Sequence, residues 1–514
     1  MSGFSKKEYL RLKMPTEDLA VGDQKRILLA LNALGYAHVT IPLKVLRKLY
    51  PLCRNSDFDI TVSLVFRETE WVVTDIEPGD QTRHHYGLAV DYGSTTIVMQ
   101  LVDMNSGTIV AEEKTVNGQV RYGTDILTRI TYSLEDASHV DALRQATVET
   151  FHQLLLALTE VSGIDAAGCP AMIVSGNTTM IHFLLGLNAW TVFASPYAPV
   201  STAPGFLWGH ELDMDFNGIV YIVPSASNYI GGDIISGLLK LDIHKQEQTN
   251  LFFDIGTNGE LVLGNREWMI AGAGAAGPAL EGYISRYGMR AAEGAIDAVR
   301  ITGSELRFTT IGSTKPVGIC GSGIIDLLAE MRLNGWINMA GRLEPAASDR
   351  IVYLENEEQY AAVYALAEES ATGTPLFFTQ TDIDQYLDTK AAAYTMVECL
   401  LESAGVSEAE LHRCYLSGAF PAHSDLESAI TIGIFPDLPR DRYCVITNTS
   451  LEGARILLQD RSRLEEIIQL ADNMYCVQFA SIPDFLIRMQ AAKFIPHTDM
   501  KRYPSIAQKL DAEE

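Results

Sequence analysis

Two short stretches hold the residues best suited to chemistry. In LAVDYGSTT (residues 88–96) an apolar run ends in Asp91, Gly93 lets the backbone turn sharply, and Ser94, Thr95 and Thr96 follow with hydroxyl and N–H groups. Such a turn can cradle a phosphate, with the carboxylate placed for a metal. A plain β-hairpin gives the same short pattern, so one copy decides little. The chain carries a second. NLFFDIGTNGE (residues 250–260) again runs from an apolar strand to Asp254, Gly256, Thr257 and Asn258, and a further strand follows from Glu260. Two such hairpins predict two related halves facing each other across a cleft. Asp91 and Asp254 would there hold Mg²⁺ largely through water, while hairpin N–H groups and Thr95, Thr96 and Thr257 take phosphate oxygens.

Polar corners after apolar strands supply the other candidates, because α/β folds place ligand-facing groups there. PAMIVSGNTTM (residues 170–180) carries Ser175, Asn177, Thr178 and Thr179, of which helix N-capping would explain one. Asn177, Asp233 of the GGD corner and Glu260 are candidates to orient an attacking water. AGAGAAGPALEG (residues 271–282, with Gly272, Gly274 and Gly277) predicts a glycine-rich turn opening a helix, and GICGSG (residues 318–323, with Gly321 and Gly323) has the same character. Either can turn N–H groups and a helix dipole on an anion, or simply permit close packing. Neither fits a dinucleotide-binding unit with a downstream acid, which excludes a NAD site. HRCYLSGAF (residues 412–420) ends in Ser417 and Gly418, where a base or ribose could lie on the backbone. Asp125 and Arg129, four apart, read either as a surface ion pair or as a corner reaching the site.

The elements that must position these residues follow from periodicity and breakers. Residues 1–85 read as a small α/β domain with a polar linker: a helix from Asp23 to Leu34, a strand from His38 to Ile41, a second helix that Pro51 should end early, and a hairpin of Phe58–Phe66 and Glu70–Ile76. His84 and His85 read as solvated linker residues. Residues 86–514 read as a duplicated α/β domain, lobe one about 86–245 and lobe two about 246–495, with a polar, fraying tail over 496–514. Long helices are predicted over Val140–Glu160 and Asp382–Ala404, a peripheral acidic insertion over 341–374, and a strand, polar corner and helix over 444–458.

The 514 residues, 47% hydrophobic and 20% charged, suit two or three globular domains. A net charge of −26 excludes non-specific binding to nucleic acid or anionic membrane. No run has signal-peptide or membrane-spanning character, which predicts a cytoplasmic protein. The seven cysteines are scattered with no C-x-x-C, and read as reduced, packed thiols.

Taken together, GLAVDYGSTTIVMQLVD, VRYGTDILTRI, VSGNTTM, DIGTNGELVL, GAAGPALEG, GMRAAEGAID, GICGSGIIDLL, LSGAF and IPHTD resemble the reductive activators of corrinoid proteins. These stand within the actin-like ATPase superfamily of acetate and sugar kinases and actin. The resemblance covers most of the chain from Tyr86 and, more loosely, the domain ahead of it. It implies an actin-like, ribonuclease H-like fold. It also implies an ATP- and Mg²⁺-dependent protein that returns an inactive cobalt(II) corrinoid protein to cobalt(I), and suggests a homodimer. Well-known members carry an iron-sulfur domain or motif, whereas this chain has no cysteine cluster at either end, so no iron-sulfur cluster is expected and a separate low-potential donor must supply the electron. The alternatives on this fold are a small-molecule kinase with Asp125 as base, or an actin-like scaffold.

Overall fold

The computed structural model describes residues 3–256, 258–274, 282, 284–303 and 305–513. By internal contacts the chain forms two compact units, Met1–Asp242 with Thr449–Asn473, and Ile243–Asn448 with Met474–Glu514.

The first unit begins with a small domain of β1 (Ser5–Arg11), α1 (Asp23–Ala33), β2 (Val39–Thr40), α2 (Leu43–Asn55), β3 (Asp59–Arg67) and β4 (Glu70–Pro78). Its sheet order is β1-β3-β4-β2, and Leu10, Ile27, Leu31, Val45, Leu49, Ile60 and Val62 lie in its core. The helix α2 runs past Pro51, contrary to the sequence expectation. Val45, Leu49 and Cys53 are buried on one face on both sides of the proline, so packing outweighs the lost N–H. Ahead of α1 the strand β1 pairs antiparallel with β3 from Ser5↔Val65 to Arg11↔Asp59.

From Tyr86 the chain forms β5 (Tyr86–Tyr92), β6 (Thr96–Asp103), β7 (Ile109–Val116), α3 (Ile126–Glu135), α4 (Ala137–Ser162), β8 (Ala171–Gly176), α5 (Thr178–Leu184), α6 (Trp190–Phe193), β9 (Gly205–Trp208), β10 (Ile219–Ile222) and α7 (Gly232–Leu241). The sheet order is β7-β6-β5-β8-β10-β9. The central strand β8 is buried along its whole length and carries no polar-apolar alternation, as expected for a parallel strand covered on both faces.

The second unit carries β11 (Asn250–Ile255), β12 (Gly259–Gly264), β13 (Met269–Gly274), β14 (Ala295–Thr302), β15 (Glu305–Thr310), β16 (Gly318–Ile319), α8 (Gly321–Leu333), β17 (Ile351–Leu354), β18 (Gln359–Ala365), β19 (Leu376–Thr379), α9 (Gln380–Ala404), β20 (Arg413–Ser417), α10 (Ala419–His423), α11 (Leu426–Ile432) and β21 (Tyr443–Val445). The chain then enters the first unit as α12 (Thr449–Gln459) and α13 (Leu464–Asp472), and ends in the second with β22 (Tyr475–Val477), α14 (Phe485–Ala492) and α15 (Pro504–Glu513). The second large sheet has the order β21-β20-β11-β12-β13-β22.

The two large sheets repeat one plan. In each, an antiparallel meander (β5, β6, β7; β11, β12, β13) is followed by two strands parallel to its first member (β8 and β10; β20 and β21). The duplication expected from the two hairpins therefore extends over five strands of each sheet, and the sixth differs: β9 lies antiparallel beside β10, whereas β22 lies parallel beside β13.

Three expectations in the second unit need correction. The AGAG of residues 271–274 belongs to β13 rather than to a turn, while residues 275–281, with Gly277, lie outside the described residues. The 341–374 segment is not peripheral, since Ile351, Ala362, Tyr364 and Ala365 join the core around Leu376 and Phe378. Nor does the tail fray, because Tyr503 and Ile506 are fully buried in that core.

Candidate functional site

In the first unit the hairpin places Asp91 near the end of β5, opposite Val98 of β6 and in parallel register with Ser175 of β8. A Cβ at Gly93 would lie 2.5 Å from the Thr96 carbonyl oxygen, so the turn that presents Ser94, Thr95 and Thr96 requires glycine. Asn117, fully buried and outside the sequence candidates, braces the turn from just beyond the end of β7. Its side-chain amide donates to the Gly93 carbonyl (3.0 Å) and its backbone N–H to the Thr95 carbonyl (2.8 Å). Carbonyls are the groups a phosphate would avoid, so engaging them suits the turn to an anion.

Behind the hairpin, Tyr92 enters a buried polar network. Its hydroxyl lies 2.7 Å from Thr147 Oγ1 and accepts from Gln119 Nε2 at 3.2 Å, and burial pushes the phenol pKa up. Arg129 completes the network, donating to the Gly123 carbonyl (2.9 Å) and to Gln119 Oε1 (3.4 Å). It is fully buried, and desolvation lowers its pKa against the attraction of Tyr92 and Asp125, so it is a buried network group rather than half of a surface ion pair. Asp125 instead caps α3, accepting from Thr128 N (2.9 Å) and Thr128 Oγ1 (2.6 Å). Burial pushes that carboxyl pKa up, but the Thr128 hydrogen bonds outweigh it and hold it below the usual range.

The corner after β8 lies beside Asp91. Asn177 is the N-cap of α5, its side chain accepting from Met180 N at 2.9 Å, and Thr178 Oγ1 donates to the Ser227 carbonyl at 2.8 Å. Backbone meets backbone here, since a Cβ at Gly231 would lie 2.4 Å from Asn177 Cα. The N-terminus of α7 therefore sits against this corner, with Asp233 in its first turn accepting from Ile234 N (2.9 Å). Ser450, at the start of α12, donates its hydroxyl to Asp91 Oδ1 at 2.8 Å. No local signal could have revealed it, because its partner lies 359 residues away.

The second unit repeats the arrangement. Asp254 stands near the end of β11, directly opposite Glu260 of β12 and in parallel register with Ser417 of β20. Ser175-Gly176 and Ser417-Gly418 are thus equivalent, each serine level with a hairpin aspartate. Gly418 has φ +103°, and a Cβ there would lie 2.1 Å from the Ile255 carbonyl oxygen, so the chain passes the hairpin strand at a distance only glycine allows. Gly256 N donates to the Asn258 carbonyl (2.9 Å), which closes the turn, while Thr257 lies outside the described residues.

Of the other candidate glycines, Gly272, Gly274 and Gly323 stand where close packing leaves no room for a side chain. Cβ atoms at Gly272 and Gly274 would meet Phe479 at 2.4 Å and Met396 Sδ at 2.3 Å, and one at Gly323 would meet the Ile296 carbonyl oxygen at 2.4 Å. Gly321 opens α8, which packs on β14 outside the six-stranded sheet.

Three family models match in series: the RACo linker region over residues 1–83, the RACo middle region over 86–246, and the C-terminal domain of RACo, the ASKHA domain, over 248–507. A solved structure described as a reductive activator for corrinoid, iron-sulfur protein is 33% identical with a TM-score of 0.88, covering 98% of this chain and 81% of that one. The corrinoid activation enzyme RamQ of Eubacterium limosum is 29% identical over 443 residues, which are 82% of this chain and 74% of the relative. A Co(II) methylated amine-specific corrinoid protein reductase of Methanosarcina barkeri is 24% identical over 417 residues, 75% of this chain and 72% of the relative. Matched in order from residue 1 to residue 507, with one sheet plan in both large sheets, the chain belongs to the RACo family and carries its actin-like ASKHA domain.

Proposed function

We propose that this protein is an ATP-driven activator of a corrinoid protein, which binds the inactive cobalt(II) form and promotes its reduction to cobalt(I) with an electron from a separate donor. The observation that carries the reading is the repeated hairpin, with Asp91 and Asp254 each near the end of the first strand of the five-strand order that the two large sheets share, in a chain of this family. Each unit offers a carboxylate at its own hairpin, and in the first unit a hairpin too tight for any side chain at Gly93, with Asn117 engaging the carbonyls a phosphate would avoid, suits Mg²⁺-ATP. ATP supplies phosphoryl-transfer free energy, while the chain positions it and stabilises charge. Asn177, Asp233 and Glu260 stay as the groups proposed to orient water, and Ser417 with Gly418 as the surface for the nucleoside.

Coupling to cobalt reduction requires only that nucleotide state bias the conformation that grips the corrinoid protein. A preference of about 10⁴ between states is worth about 5.5 kcal/mol. At about 59 mV per tenfold for one electron, it would shift a bound cobalt couple by roughly 240 mV. A separate donor is the reading favoured by seven cysteines scattered along the sequence, five of them buried. The kinase alternative needs Asp125 as base, and that carboxylate is committed to capping α3.

The test is ATP hydrolysis with Mg²⁺, with and without a cobalt(II) corrinoid protein. Stimulation by the corrinoid protein is expected, with a loss of at least about a hundredfold in Asp91→Ala and in Asp254→Ala. Turnover indifferent to the corrinoid protein, or retained in both variants, would overturn the proposal.

A further inference from the structure

The loop after β21 delivers the first turn of α12 into the first unit, where it lies against β5, β8 and α7. The position is set by backbone contact, because a Cβ at Gly453 would lie 1.9 Å from the Ser236 carbonyl oxygen of α7. At this place the hydroxyl of Ser450, 6% exposed, meets Asp91 Oδ1 at 2.8 Å and Ser175 Oγ at 2.9 Å, while Ser175 Oγ also lies 3.0 Å from the Gly232 carbonyl oxygen. The proton count orders the chain. An ionised carboxylate only accepts, so Ser450 gives its one proton to Asp91, and Ser175 shares its own single proton between the Ser450 oxygen and the Gly232 carbonyl. Ser450 spends its hydroxyl on the hairpin aspartate.

We propose that Ser450 is a positioning residue of the nucleotide site, whose hydroxyl, oriented by Ser175, fixes the Asp91 carboxylate for the cation that accompanies ATP. The proposal rests on the nucleotide reading above. A hydrogen bond to a charged group selects one rotamer of Asp91 and stabilises its charge, which benefits metal binding more than contacts to the nucleotide alone.

The test is calorimetric titration of the full-length protein with ATP, in EDTA and in rising Mg²⁺, for wild type, Ser450→Ala, Ser450→Thr and Ser175→Ala. In Ser450→Ala the metal-free affinity is expected to stay within about twofold of wild type, while the gain conferred by Mg²⁺ falls about tenfold. Ser450→Thr, which keeps the hydroxyl, retains most of the gain, and Ser175→Ala loses about threefold. A full Mg²⁺ gain in Ser450→Ala would overturn the positioning role alone. Equal losses in the alanine and threonine variants would do the same, by showing that packing rather than the hydroxyl matters. Absence of Mg²⁺-dependent ATP binding in wild type would bring down the nucleotide reading and this proposal together.

Discussion

His85 joins β1 to the start of the first large sheet: its Nε2 lies 2.8 Å from Ser5 Oγ, and both residues are buried. Burial, with Lys7 and Lys6 adding to it and Asp103 opposing, lowers the ring pKa to about 4. An unfolded histidine titrates near 6.5, so on acidification the unfolded chain takes up this proton first. Stability from His85 is therefore complete above about pH 6.5 and is lost as pH falls towards 4, by about 3 kcal/mol in all. Urea midpoints of wild type and His85→Gln, compared from pH 7.5 to 4.5, should diverge by about 2–3 kcal/mol as wild type loses more. Parallel pH profiles would show that the ring is not held neutral by the fold. Such residues are hard to read in sequence because burial is decided by partners far along the chain. His85 stands in a polar run, QTRHH, and is buried through Ser5, 80 residues away. Arg129 stands four residues from an acid and is buried instead among Gln119, Gly123 and Met180. By contrast the strand-end placement of Asp91 and Asp254 was legible, since strand, aspartate and glycine turn are contiguous.

The helix α12 is held along its length within the first unit. Ser450 reaches Asp91 at its start, Gly453 lies on α7 at mid-length, and near its end the Leu458 carbonyl accepts from Phe4 N at 3.0 Å. Just beyond it, Arg461 stacks its guanidinium 4.2 Å from the Phe66 ring centroid and 4.7 Å from that of Trp71, on the small domain. The sequence revealed this element's existence and kind, a polar corner running into an apolar helix, but not its neighbours, because helical periodicity carries no information about which sheet a face will meet. The contact at Gly453 gives a direct check. A Cβ 1.9 Å from the Ser236 carbonyl oxygen meets backbone, which cannot rotate away, so the helices must separate. Gly453→Ala should cost about 1–3 kcal/mol despite alanine's better helix propensity of about 1 kcal/mol, and thermal melting should fall accordingly. A variant as stable as wild type would mean that the crossing is looser than the backbone distance implies.

At the scale of the molecule, the first unit is assembled from two stretches of chain, Met1–Asp242 and Thr449–Asn473, with most of the second unit between them. The helix α12 covers faces of β5, β8 and α7, and its Leu451, Leu457 and Leu458 are buried. Three buried leucines at about 1.5–3 kcal/mol each are comparable with the whole stability of a typical domain, about 5–15 kcal/mol. A chain ending at Asp242 would keep both its sheets and lose that cover, leaving an apolar face on the strands that carry Asp91 and Ser175. Residues 3–242 alone should therefore lack a cooperative thermal transition and should bind a dye that reports exposed apolar surface. Joining residues 447–473 to Asp242 through a flexible glycine-serine linker should restore a cooperative melt and suppress the dye signal. If the shorter fragment melts as sharply and as high as the linked one, α12 is an accessory to the first unit rather than part of its core.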